Sequence, residues 1–204
     1  LPFLLRANIL IWYTALTAPS GDVSVLAAGE GPVLLVRAGN RTVLIGGGSD
    51  ASILRTLGTT LPPWERHLDT LVLTSPSALT AGGAPEVLAR YRVDELVRPA
   101  AQGSRTLETA LASGSDETRV VYAMAGERFI IAPGVFLDVL WPPNTPGVMT
   151  PDNGSLALRL TCGDRSFFIE DDLGPRAREA VLAMEGAGDV RIASSTPTES
   201  FSCS

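Results

Sequence analysis

Leu71, Val72 and Leu73 form an unbroken apolar run, followed by Thr74-Ser75-Pro76-Ser77 and, at the end of the same stretch, by Gly82-Gly83. Such a run reads as a buried strand delivering its chain into a loop, so the sheet that contains it must be covered by further layers. The surrounding sequence fits that demand. Short β-type segments are expected at Val23 to Ala28, Val33 to Ala38 and Thr42 to Ile45, with a hairpin turn at Gly39-Asn40. A helix over Ser52 to Leu61, the buried strand Leu68 to Thr74 and a helix over Pro85 to Tyr91 then alternate.

Further strands are expected at Glu95 to Arg98, Val120 to Ala123, Arg128 to Ala132 and Val135 to Leu140, with a helix over Ser104 to Ala112 among them. Beyond a long Pro-rich loop lie a hairpin, Ser155 to Thr161 and Ser166 to Glu170, turning at Gly163-Asp164, a helix from Pro175 to Met184 and a strand from Val190 to Ala193. The end, from Ser194 onward, reads as frayed or cut. Two strand-rich halves, each closed by helices, imply two sheets face to face with helices outside.

A chain of 204 residues suits one sizeable domain, and 45% hydrophobic with 19% charged residues is ordinary for a globular core. The net charge of −6 lacks the footprint of a protein that wraps nucleic acid, although a local basic groove remains open. All 16 basic residues are Arg. The single histidine, His67, removes every multi-histidine metal site and leaves one candidate base for a Ser-His or Cys-His nucleophile. No Gly-x-Ser-x-Gly elbow accompanies it, so His67 is expected at the surface near Trp64. Cys162 and Cys203, with no Cys-x-x-Cys pair, are expected as free thiols.

The apolar run Ala7 to Ala18 is too short to span a bilayer alone and lacks the basic start of a signal peptide. Residues 1–19 are read as the end of a truncated transmembrane helix or an N-terminal tether, with Trp12 and Tyr13 at interfacial depth, the alternative being a buried strand or helix of the domain itself, and residues 20–204 as the folded domain.

Five short motifs, in order, carry a family resemblance. They are Leu26-Ala27-Ala28-Gly29-Glu30-Gly31-Pro32-Val33, Leu44-Ile45-Gly46-Gly47-Gly48, Thr74-Ser75-Pro76-Ser77-Ala78-Leu79-Thr80-Ala81-Gly82-Gly83, Gly154-Ser155-Leu156-Ala157-Leu158-Arg159-Leu160 and Phe167-Phe168-Ile169-Glu170-Asp171-Asp172. Together they resemble the metallo-β-lactamase-like domain that ends the ComEC competence proteins, membrane proteins that bring transforming DNA into bacteria. The resemblance covers about Asp22 to Thr198. It implies an α+β, four-layer αββα sandwich, with the family's last strands missing.

The family's metal-ligand and acidic positions fall on Ala27, Gly46, Ser75, Ser77, Leu79, Thr80, Ser195 and Thr196, and its bridging carboxylate on Asp172. Only Asp172 keeps an acid. The resemblance therefore implies a degenerate, non-catalytic domain without a cofactor. It also implies a place at the bacterial cell membrane on the extracytoplasmic side, with the membrane-embedded portion of the same parent as partner and single-stranded DNA as a further candidate. Two alternatives stay open. One is a metal-dependent hydrolase or nuclease with a remodelled site. The other is a nucleic-acid-binding module, for which Arg90, Arg92, Arg98 and Arg105 would have to gather on one face.

The residues themselves point the same way. Neutral hydroxyls at Ser75, Ser77 and Thr80 bind zinc poorly, and Leu79 offers no donor. Asp172, with Glu170 and Asp171, could hold one hard cation, but reads first as a solvated acidic loop. Gly46 to Asp50 lacks the Lys-Ser/Thr of a phosphate loop, and its glycines are explained by close backbone approach.

Overall fold

The computed structural model describes residues 21–29, 31–115, 117–143, 154–184, 189–192 and 199–203. Residues 1–19, Ser195 and Thr196 lie outside the described residues, and so do the expectations attached to them. Among the described residues no helix is long and apolar enough to cross a membrane.

Twelve strands and five helices are described. The first half runs β1 (Gly21–Leu26), β2 (Val33–Ala38), β3 (Arg41–Ile45), α1 (Ser52–Thr60), β4 (His67–Val72), α2 (Ala78–Ala81), α3 (Ala84–Arg90), β5 (Arg92–Arg98), α4 (Arg105–Gly114) and β6 (Arg119–Tyr122). The second runs β7 (Arg128–Ala132), β8 (Val135–Trp141), β9 (Ala157–Cys162), β10 (Arg165–Glu170), α5 (Pro175–Leu182), β11 (Asp189–Ile192) and β12 (Ser200–Cys203). Seven strands form one sheet, in the order β12-β1-β2-β3-β4-β5-β6; five form the other, in the order β11-β10-β9-β8-β7.

Strand alternation sorts the apolar residues into three layers of packing. Between the sheets lie Val23, Val36, Ile45, Leu137, Leu158 and Phe167. On the far side of the seven-stranded sheet, Leu44, Leu71 and Leu96 pack against Ile53 and Leu57 of α1, Val87 of α3 and Leu107 and Leu111 of α4. On the far side of the five-stranded sheet, Phe168 and Trp141 pack against Ala177 and Val181 of α5. The architecture is the expected four-layer αββα sandwich. Adjacent Phe167 and Phe168 show the rule at work. One enters the inter-sheet core and the other the helix layer, both essentially inaccessible, and burying each contributes roughly 1.5–3 kcal/mol.

The helices begin and end where their sequences require. Asp50 Oδ1 accepts the Ser52 backbone N–H at 2.7 Å, and Pro62-Pro63 stops continuation beyond α1. Ser104 caps α4 by accepting from the Leu107 N–H at 3.3 Å. Pro sits in the first turn of both α3 and α5, where a missing N–H costs nothing.

Two expectations are corrected. Ser200–Cys203 is not frayed but is the edge strand β12, paired antiparallel with β1 from Gly21↔Cys203 to Ser24↔Ser200. Phe201 leans on the Phe167 ring at a centroid distance of 5.2 Å, which gives the strand an apolar anchor. Nor are the cysteines free thiols. Cys162 of β9 and Cys203 of β12 form a disulfide that ties one sheet to the other through the core. Register brings them together, as both lie at strand ends facing the inter-sheet layer.

Candidate functional site

Three chain segments leave the sheets at neighbouring strand ends: Gly46 to Gly48 after β3, Thr74 to Thr80 after β4, and Asp171-Asp172 after β10. Backbone hydrogen bonds join them. The Gly46 N–H donates to Val72 O at 2.8 Å, the Gly47 N–H to Thr80 O at 3.1 Å, and the Leu156 N–H to Thr74 O at 2.6 Å. The last of these crosses between the sheets. At Gly46 (φ 89°) a Cβ would stand 2.2 Å from Pro32 O, so the turn leaves no room for any side chain at this position.

The side chains complete the link. Thr74 Oγ1 donates to Asp171 Oδ2 at 3.0 Å, with both residues buried. Ser75 Oγ donates to Asp172 Oδ2 at 3.4 Å and accepts the Ser77 N–H at 3.1 Å. Ser155 Oγ donates to the Asp172 carbonyl at 3.1 Å. Ser77 Oγ accepts the Leu79 N–H at 3.3 Å and so starts the single turn α2. Leu79 itself is 61% exposed. Thr80 is buried, and its Oγ1 makes no well-formed hydrogen bond. Gly31 closes over this corner, because a Cβ there would meet the Thr80 Cγ2 at 2.7 Å and Asp171 Oδ2 at 3.4 Å.

Burial pushes the Asp171 carboxyl above its ordinary 3.8, and the neighbouring Asp172 charge adds to this. The hydroxyls of Thr74 and Thr80 pull the other way without cancelling it, and only that of Thr74 makes a full hydrogen bond. Asp172 is exposed and adopts φ 49°, a left-handed conformation tolerated by Asp. The acidic stretch is therefore not the solvated loop expected from sequence. Glu170 and Asp171 are buried, and Glu170 Oε1 lies 3.3 Å from Arg191 Nη1.

Of the positions singled out from sequence, Gly46, Ser75, Ser77, Thr80 and Asp172 come together at these strand ends, with Leu79 on the exposed side of α2. Ala27 does not join them through its side chain; its carbonyl accepts the Thr56 hydroxyl of α1 at 3.0 Å. Asp171 was not singled out on its own, and only its apolar run-in, Phe167-Phe168-Ile169, hinted at its burial. Among the described residues no group of three or more His, Cys, Asp or Glu side chains is placed to hold a metal ion. His67 sits at the opposite end of β4, exposed, with Nε2 2.9 Å from Asp94 Oδ2.

Two facing mixed sheets with helices on both outer faces and loops gathered at one end define a metallo-β-lactamase fold. The chain is similar to a metallo-β-lactamase of Cronobacter sakazakii with a HARLDQ motif, at a TM-score of 0.57 and 15% identity, over 89% of this chain and 81% of that one. It is also similar to a B3 metallo-β-lactamase with an active-site glutamic acid (0.54, 16% identity, 88% and 79% covered). A third is MEM-A1, a subclass B3 enzyme from a soil metagenome library (0.53, 13% identity, 87% and 81% covered). At these identities the likeness is one of fold. No family model and no curated protein sequence matches the chain.

Proposed function

We propose that this is a degenerate, non-catalytic metallo-β-lactamase-fold domain of a ComEC-like membrane protein involved in DNA uptake, acting as a scaffold for the membrane-embedded portion of its parent. The observation that carries the non-catalytic reading is the Thr74–Asp171 hydrogen bond, flanked by Ser75, Thr80 and the close-packed Gly46. A dinuclear centre needs several nitrogen and carboxylate donors holding two cations about 3.5–4 Å apart. The donors here are neutral hydroxyls and two adjacent carboxylates, one already engaged by Thr74 and driven toward its neutral form. That set does not fit two metal ions.

The disulfide supports an extracytoplasmic location, since such bonds persist in oxidising compartments. Two of the four arginines that the nucleic-acid-module alternative calls on already face acidic partners. Arg98 is buried in a pair with Glu108, and Arg92 faces Asp94. The test is hydrolysis of single-stranded DNA and phosphodiester analogues by the purified domain with Mn²⁺, Mg²⁺ or Zn²⁺ added. Rates equal to buffer are expected. Turnover abolished by Asp172→Ala would establish the rival reading, a hydrolase with a remodelled site.

A further inference from the structure

The inter-sheet layer opens into a cleft of about 320 Å³ where β7 lies across β3, away from the strand-end loops. Its floor is apolar, made by the buried Val43, Val72 and Leu137. Its mouth is polar, with Arg41, Thr70, Glu95 and Arg128. Polar residues on a face that should be core are a local conflict, and such conflicts gather at functional positions.

A change of face shared by two neighbouring strands creates this one. Leu68 and Leu71 share the helix-side face of β4 although they are three residues apart, and Val93 and Leu96 do the same on β5. Pairing keeps one register from Leu68↔Val93 to Thr70↔Glu95 but omits Asp69 and Asp94, while Asp69 Oδ2 accepts the Thr42 N–H at 2.8 Å. Both strands thus change face together, turning Thr70 and Glu95 inward beside Val72.

Charge decides what could enter. Glu95 is paired with Arg119, and Arg128 forms a bidentate pair with Asp138. Arg41 is exposed and has no ion-pair partner among the described residues, and the Thr70 hydroxyl is likewise left without a protein partner. A chain of net charge −6 repels anions in general, so an anion held here depends on this local cation. The volume is at the lower end for small-ligand pockets, about 300–1,000 Å³.

We infer that the cleft between β3 and β7 binds a small amphipathic monocarboxylate, its apolar body on Val43, Val72 and Leu137 and its carboxylate on Arg41. The probe is octanoate, titrated into the full chain and followed by amide and methyl NMR shifts, with neutral 1-octanol as the companion ligand. Octanoate should perturb Val43, Thr70, Phe129 and Leu137 and bind about tenfold tighter than octanol, the factor expected for about 1.4 kcal/mol of charge-assisted hydrogen bonding. Arg41→Gln, an exposed change, should bring octanoate to the octanol affinity without altering the melt. Thr70→Phe should fill the cleft and abolish both. Octanoate no tighter than octanol, indifference to Arg41→Gln, or shifts scattered away from the cleft would each overturn the assignment.

Discussion

Thr74 and Asp171, 97 residues apart in the chain, are joined by a 3.0 Å hydrogen bond between the end of a strand in one sheet and the end of a strand in the other. At the position where the fold gathers its loops, this contact and the Leu156 N–H to Thr74 O bond tie the two halves together. Losing the donor leaves a buried acceptor unsatisfied. Thr74→Val should therefore destabilise the domain by about 1–3 kcal/mol in urea unfolding, although the side chain keeps nearly the same volume.

The same carboxyl sets a pH dependence. Its folded pKa is raised from the ordinary 3.8, so its contribution favours the folded state fully below that value and is lost as pH rises through the folded pKa. Glu108, whose carboxyl is lowered by Arg98, works in the opposite direction as pH falls, so the raw stability curve mixes the two. The difference between wild type and Asp171→Asn isolates the first. Asn keeps an acceptor for Thr74 and cannot ionise; the variant should gain stability relative to wild type as pH rises above the ordinary carboxyl value of 3.8. A difference independent of pH would show that Asp171 stays ionised when buried.

The layering was legible in the sequence because strand alternation and turn chemistry act locally. The hairpins at Gly39-Asn40 and Gly163-Asp164 and the helices following Ser52 and Pro175 are where their residues put them. The strand-end convergence of Gly46, Ser75, Thr80 and Asp172 was legible only through the family resemblance. Three features were not legible because each depends on distant residues meeting. The Asp171 carboxylate needs Thr74 to justify burial, the cysteine pair needs β9 and β12 in adjacent sheets, and the face switch in β4 and β5 needs both strands to turn together at Asp69 and Asp94.

The disulfide predicts its own energetics. It closes a separation of 41 residues between two sheets, and constraining a loop of that size in the unfolded chain stabilises by about 2–4 kcal/mol. Thiol titration of the unreduced protein should find no reactive cysteine. Reduction, or Cys162→Ala with Cys203→Ala, should lower unfolding stability by that amount and release β12 first, visible as faster amide exchange at Phe201 and Val23.

Arg98 and Glu108 offer a test of buried against exposed charge. Their bidentate contacts of 2.8 and 2.6 Å hold α4 against β5, and Glu108 Oε1 also accepts the Gly103 N–H at 2.7 Å. Removing one partner from such a pair strands the other, so Arg98→Ala should cost about 3 kcal/mol. Arg92→Ala, which removes an exposed contact to Asp94, should cost less than about 1 kcal/mol. Equal losses would mean that the Arg98–Glu108 pair is as well solvated as the surface one.

Metal should make no difference to folding. In sites where carboxylates and imidazoles crowd around cations, binding free energy becomes folding free energy, and a chelator lowers the melting temperature. Here the corresponding strand-end corner is closed by the Thr74–Asp171 bond, by the Ser75 hydroxyl on Asp172 and by Gly31 against Thr80, all within the chain itself. Among the described residues at this corner only Asp171 and Asp172 bring like charges together, and burial already drives the first toward its neutral form. Thermal melts with EDTA, with added Zn²⁺ and with added Mg²⁺ should superimpose within about a degree, and metal analysis after dialysis should give far less than one ion per chain. A melting temperature that falls by many degrees on chelation, and recovers with one particular cation, would show that the hydroxyl and carboxylate cluster holds a metal ion.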